Sequence, residues 1–206
     1  MTTLRLVLAS ASPARLSTLR QAGLDPEVVV SGVDESGLDH LAPAELAGQL
    51  ATLKGEAVAG RLDVGPDSGP TIVLGCDSVL ELDGRAYGKP GTSEVARRRW
   101  QAMRGQVGTL HTGHHVLVRR GDQKTSRTEV ASTTVHFAHL DDAEIEAYVA
   151  TGEPLAVAGA FTVDGLGGPF VTRLEGDYHN VVGISLPLLR TLLLELGVSW
   201  PDLWSR

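Results

Sequence analysis

TIVLGCDSVLELDGRAYGKP, residues 71–90, is the stretch from which the fold is read. Thr71 to Leu82 is a largely apolar run interrupted at Gly75 and at Asp77-Ser78, which reads as a strand. Asp83-Gly84 is a hairpin signal, so a second strand returns through Tyr87. A carboxylate set among Val and Leu residues must be paired, hold a metal, or face a cleft from a strand end. Asp77 therefore suits a general base or a metal ligand, and equally a structural aspartate that satisfies backbone N–H groups at a bulge. Lys89 stands in a Gly-Lys-Pro turn just past the hairpin. It either shares a cleft with Asp77 or is a solvated turn lysine. Cys76 reads as core filler, with no second sulfur or neighbouring histidine to activate it.

Upstream, Leu4 to Ala9 is a short apolar strand ended by Ser10-Ala11-Ser12-Pro13. Pro13 suits the first turn of a helix capped by Ser12, which runs Ala14 to Ala22, buries Leu16 and Leu19 and stops at Gly23. Glu27 to Ser31 reads as a second strand leading to the acidic loop Asp34-Glu35. Pro43 opens a longer helix whose Leu46, Leu50, Leu53, Ala57 and Val58 share a face, and Gly and Pro at 65–70 mark a loop.

Downstream, Thr92 or Ser93 caps a basic helix reaching Met103. Residues 106–119 and 125–137 form an antiparallel pair about Gly121-Asp122. Asp141 with Glu144 opens a helix to Val149, Gly-rich strands are expected over 158–175, and Leu186 to Leu196 is an apolar helix. Strands and helices alternate early and hairpins dominate later, which gives a single α/β domain over 1–206 with a mixed sheet.

Composition sets the outer limits. The chain has 206 residues, 42% hydrophobic and 21% charged, so extended disorder is not expected. Eighteen cations against 25 acids give a net charge of -7, which argues against a general nucleic-acid binder but not against a local basic pocket. Only Lys54, Lys89 and Lys124 are lysines; the remaining cations are arginines. One cysteine precludes an internal disulfide or a cysteine-based zinc site, so a reducing cytoplasm fits. No segment approaches the roughly 18 apolar residues of a membrane span.

Ser10-Ala11-Ser12-Pro13-Ala14-Arg15 places free N–H groups, a helix dipole, two hydroxyls and a guanidinium where a strand passes into a helix. That inventory suits a phosphate, and also an ordinary Ser-Pro cap with a surface arginine. Several other motifs fail. Gly84 to Pro90 lacks the spacing and the Ser or Thr of a phosphate-binding P-loop, and no HExxH helix exists. His111 and His114 point oppositely on an extended segment, which disfavours zinc. Gly183-Ile184-Ser185-Leu186-Pro187 lacks the last glycine of a nucleophile elbow, and Gly165-Leu166-Gly167-Gly168 reads as a strand turn or bulge.

In order along the chain, LASASPARL (8–16), VDE (33–35), LATLKGEAV (50–58), GCDSVLELDGRAYGKP (75–90), HTG (111–113), EIEAYVATGEP (144–154), AGAFTVDGLGG (158–168) and EGDYHNVVGISLPLL (175–189) resemble the Maf family of nucleotide pyrophosphatases. The resemblance implies a twisted mixed sheet flanked by helices, two lobes with a deep nucleotide-binding cleft, and a divalent cation, Mg²⁺ or Mn²⁺. It implies hydrolysis of a nucleoside triphosphate between the α and β phosphates. Asp77 matches the family's proton acceptor, Glu35 and Asp77 the metal ligands, and Ser10, Ser12, Arg15, Lys54 and Lys89 the substrate-binding set.

Three positions depart from the family's patterns. Members resembling dTTP and UTP enzymes carry Arg, Thr and Gln where this chain has Ala14, Ser78 and Asp164. Members resembling enzymes for a methylated guanine nucleotide carry Trp, Gln and Glu. The chain matches neither, which implies a base preference of its own, with modified or noncanonical nucleotides among the candidates. A non-hydrolytic nucleotide sensor or an interaction protein linked to cell-division arrest is the alternative. A homodimer accords with the resemblance, and Trp200 and Trp204 either form a partner patch or cover their own chain. Arg97-Arg98-Arg99 reads as a solvated helix face.

Overall fold

The computed structural model describes residues 4–38, 40–63 and 69–204. Strand β1 (Arg5–Ala9), helix α1 (Pro13–Gln21) and the two-residue strand β2 (Glu27–Val28) lead to α2 (Pro43–Ala59), β3 (Thr71–Leu82) and β4 (Arg85–Tyr87). Then come α3 (Ser93–Met103), the long strands β5 (Val107–Arg120) and β6 (Gln123–Phe137), α4 (Asp142–Ala150), β7 (Val171–Glu175), α5 (Tyr178–Val182) and α6 (Leu186–Glu195). The sheet is open and mixed, in the order β2-β1-β3-β5-β6-β7, with β4 also paired to β3. β1 runs parallel to β2 and β3, and every other pairing is antiparallel.

Local chemistry accounts for the element ends. The Ser12 hydroxyl accepts the Arg15 N–H at the start of α1, and Thr92 accepts the Val95 N–H at the start of α3. Asp141 and Glu144 form a reciprocal capping box, with bonds of 2.8 and 3.0 Å. Asp83 and Gly84 have φ of 50° and 71°, the left-handed pair that a tight hairpin needs.

Three expectations change. The second strand stops at Val28 rather than Ser31, because its partner β1 ends at Ala9. Residues 158–170 form no strand: Gly159 and Ala160 take φ of 70° and 63°, and short 3₁₀ turns occupy Ala158–Ala160 and Gly168–Phe170, so only Val171–Glu175 is extended. Helix α5 was not expected, since five residues are too few to show a period. Of the loop expected at 65–70, residues 65–68 lie outside the described residues.

The strand alternation of β3 divides the interior. Ile72, Leu74 and Cys76 face a cluster with Leu19, Ile184, Leu189 and Leu193. Farther along the same face, Leu80 and Leu82 join Trp100, Met103, Phe137, Tyr148 and Phe161. Four of these rings, with Phe170, meet edge to face at centroid distances of 5.1–5.8 Å. The other face carries α2, which packs Val58 on Val7, Val73 and Leu117.

Helix α2 lies very close to the sheet. A Cβ on Gly75 would fall 2.2 Å from the Ala51 carbonyl oxygen, and one on Gly113 2.1 Å from that of Ala47. The two clusters leave a break between them at one edge of β3. β1 pairs with β3 only as far as Ala9 opposite Gly75, and the β4 pairing starts only at Leu80, opposite Tyr87, the last residue of β4. Among the described residues no strand lies beside Cys76 to Val79 on that edge, and a cleft opens there. Among the described residues no helix is long and apolar enough to cross a membrane.

Gly75→Ala and Gly113→Ala must push α2 off the sheet. Each is expected to cost about 3 kcal/mol in denaturant unfolding. Gly88→Ala, where a Cβ meets nothing within 4 Å, should stay within about 0.5 kcal/mol of wild type.

Candidate active site

The cleft encloses about 1800 Å³ and is lined from both lobes, by Ser10 to Arg15, Glu35, Lys54, Asp77, Ser78, Lys89 and Asp164 among others. The ten positions matched or compared with the family's site, Ala14, Ser78 and Asp164 included, thus line one cavity. Its centre is Lys54. The close seat of α2 brings this side chain to β3, where its ammonium lies 2.5 Å from Asp77 Oδ1 and 2.8 Å from Glu35 Oε1. Lys54 and Asp77 are 13% and 17% exposed, whereas Glu35, on the loop after β2, is 52% exposed. The Asp77–Lys54 contact is accordingly the better shielded from water.

Arg15 forms the floor. It is 8% exposed, and its Nε donates to Gly183 O at 2.7 Å. Nη1 donates to Ser10 Oγ and Cys76 O, and Nη2 to Ser78 Oγ, each at 2.9 Å. Four of its five N–H groups are thereby engaged by neutral oxygens, leaving one Nη2 proton for a ligand. Among the described residues no carboxylate pairs with Arg15. A buried cation with only neutral partners leaves a fixed positive potential on the cleft floor.

Ser78 continues this network. Thr112 donates its hydroxyl proton to Asn180 O at 3.0 Å, so the 3.0 Å bond between Ser78 and Thr112 must use the Ser78 proton. Ser78 thus presents an acceptor to the cleft. Asn180, fully buried, in turn donates to Leu110 O and Thr133 Oγ1. Ala14 is half-buried on α1, while Lys89 and Asp164 are exposed at the rim. Among the described residues Lys89 makes no hydrogen bond or ion pair, so its ammonium is available.

Asp164 sits in a loop built around one carboxylate. Glu153 accepts from Tyr148 OH at 2.9 Å, Thr162 Oγ1 at 2.5 Å, and the Leu166 and Gly167 N–H groups at 3.0 Å each. Burial pushes its pKa up, but the hydrogen bonds from Thr162, Leu166, Tyr148 and Gly167 outweigh that and hold it below its ordinary value. The run Gly165-Leu166-Gly167-Gly168, read from sequence as a strand turn or bulge, is instead a carboxylate-binding loop. Glu153 and the Thr112–Asn180 network were not singled out from sequence. The one local signal was Thr162, a polar residue between Phe161 and Val163; Thr112 and Asn180 stand beside other polar residues and carry no such signal.

The three neighbouring histidines have other work. His114 donates from Nδ1 to Thr112 O and accepts the Ser185 N–H at Nε2, and burial lowers its pKa to about 4. His111, on the opposite face, bonds Glu81 and Ser132 at 2.8 Å each, and His115 bonds Thr128. Among the described residues no group of three His, Cys, Asp or Glu side chains could hold a metal ion.

The model of the Maf-like protein family matches residues 5–196. The chain belongs to the Maf family. It is 58% identical over 203 residues to the nucleoside triphosphate pyrophosphatase of Salinispora tropica, an alignment covering 98% of this chain and 88% of that protein. Proteins of the same name from Streptomyces avermitilis and Streptomyces coelicolor are 56% and 55% identical over 201 residues, covering 98% of this chain and 95% of each.

Other features of this Maf chain stay outside the cleft. Lys124 pairs with Glu56. Arg97 pairs with Glu146, Arg98 with Glu94, and Arg99 lies 5.5 Å over the Tyr87 ring, so each arginine of the run has a local partner. Trp200 packs on its own chain, and Trp204 lies over Gly23 with half its surface exposed.

Glu153→Gln is expected to cost about 1–2 kcal/mol at neutral pH, because the amide cannot accept all four bonds. The folded carboxyl titrates below the unfolded one, so its contribution is full above about 4.5 and is lost as pH falls through the folded value. Unfolding curves of variant and wild type should therefore converge in acid.

Proposed function

We propose that this protein is a nucleoside triphosphate pyrophosphatase, cleaving between the α and β phosphates to release a nucleoside monophosphate and diphosphate. The observation that carries this reading is the shared contact of Lys54 with Asp77 and Glu35 in a cleft floored by an arginine that pairs with no carboxylate among the described residues. The names of relatives 49–58% identical over 97–98% of the chain support it.

The two carboxylates converge on one cation already, and that is the test of fit for a divalent ion. Magnesium typically takes one or two carboxylates and completes its shell with phosphate oxygens and water, so a pair suffices. Glu35 and Asp77 would hold Mg²⁺ or Mn²⁺, which supplies charge neutralisation on the phosphate oxygens.

The chain's own residues do the rest. Arg15, fixed by its four hydrogen bonds, Lys54 and Lys89 bind the phosphate oxygens, and the start of α1 with Ser10 and Ser12 adds N–H and hydroxyl groups. Asp77 takes a proton from the attacking water as the oxygen–phosphorus bond forms. The bridging oxygen leaves with the diphosphate, its charge met by the same cations. Ser78 and Asp164 offer acceptors to the nucleoside, and Ala14 leaves room beside them. The cytoplasm suits the lone thiol of Cys76, which burial raises to a pKa of about 11 and so keeps protonated.

A panel of canonical and modified triphosphates assayed with Mg²⁺ or Mn²⁺ should release diphosphate. Asp77→Asn should lower the rate at least about 1000-fold with the fold retained. Recovery of intact triphosphate from wild-type protein that binds it would replace this reading with a nucleotide sensor.

A further inference from the structure

Lys54 occupies a position that two different cations require. Its ammonium touches both carboxylates of the cleft, at 2.5 and 2.8 Å. A divalent ion held by the same two carboxylates, about 2.1 Å from its ligand oxygens, would lie within a few ångströms of the ammonium, so the two cations cannot both stay on this pair without strong repulsion. The backbone beneath Lys54 cannot yield. Gly55 lies against His115, where a Cβ would be 2.5 Å away, and the Gly75 approach fixes the adjacent turn. Only the four-carbon arm of the lysine is free to move.

We infer that Lys54 is the resident counter-ion of the unliganded site, displaced from Asp77 and Glu35 by the divalent cation and transferred to the phosphate that arrives with it. This inference rests on the metal-and-triphosphate reading given above. Before binding, the ammonium compensates two carboxylates that would otherwise repel each other. After binding, the same charge serves the opposite partner, an anion. One side chain therefore couples the two ligands. The metal alone must compete with Lys54, whereas with triphosphate present the displaced ammonium gains new acceptors. By linkage, each ligand strengthens the other's binding.

The test measures Mn²⁺ binding without nucleotide, by calorimetry and by electron paramagnetic resonance. Lys54→Met, checked for folding by circular dichroism, should bind Mn²⁺ about tenfold more tightly than wild type. Lys89→Met removes the same charge from the rim but, among the described residues, no contact to a carboxylate, and should change Mn²⁺ affinity less than about twofold. A second measurement needs no variant. On wild-type protein, the rate at which an amine-specific acetylating reagent labels Lys54, read by peptide mass spectrometry, should rise when Mn²⁺ saturates the site, with Lys124 unchanged. Equal or weaker Mn²⁺ binding by Lys54→Met, equal gains from both variants, or Lys54 labelling that stays level or falls would each overturn the exchange while leaving hydrolysis by the wild type intact. Absence of both Mn²⁺ binding and triphosphate turnover in the wild type would overturn the functional reading itself, and the exchange with it.

Discussion

The seating of one helix on two glycines controls the geometry of the cleft. Helix α2 presents Ala47, Gly48, Ala51 and Gly55 to the sheet, and the sheet answers with Gly75 and Gly113. Backbone meets backbone at separations that exclude even a methyl group. Gly75 precedes Asp77 by two residues on β3, and Lys54 immediately precedes Gly55 on α2. The contact that seals helix to sheet therefore also aims the ammonium at the carboxylate. Packing and chemistry share the same few ångströms, so a volume change in the first is felt by the second.

A net charge of -7 repels an anionic ligand at long range, so the attraction has to be local. The cleft achieves this by pairing its cations unequally. Lys54 is held by two carboxylates, Arg15 by four bonds to neutral oxygens, and Lys89 stands at the rim. Elsewhere several basic residues are paired with nearby carboxylates, as Arg97 with Glu146 and Lys124 with Glu56. The break in strand pairing beside Cys76 to Val79 gives these charges one opening to face.

Much of the fold was legible because its signals are local. The long strand at 71–82, the Asp83-Gly84 turn, the Ser12 cap and the Asp141–Glu144 box each follow from adjacent residues and appear as expected. The failures share a cause as well. Residues 158–170 contain glycines and apolar residues compatible with strands, but their conformation is dictated by Glu153 and by positive φ at Gly159 and Ala160, which no period reveals. For the site, the ordered motifs named the residues that line the cleft. They gave no hint that Lys54 would touch both carboxylates, or that Arg15 would be buried and bonded on four sides. Those facts depend on how helix and sheet approach, a distance that spacing along the chain does not encode.

The three tryptophans fall unevenly across the break in the sheet. Trp100 is fully buried among the aromatic rings of one lobe and donates its indole N–H to Ala160 O. Trp200 packs against the aliphatic cluster of the other lobe, and Trp204 is half-exposed beside Gly23. Each lobe thus carries its own fluorophore in a distinct solvent environment. The molecule contains a two-channel optical reporter, able to register whether its lobes loosen together or one before the other without any added label.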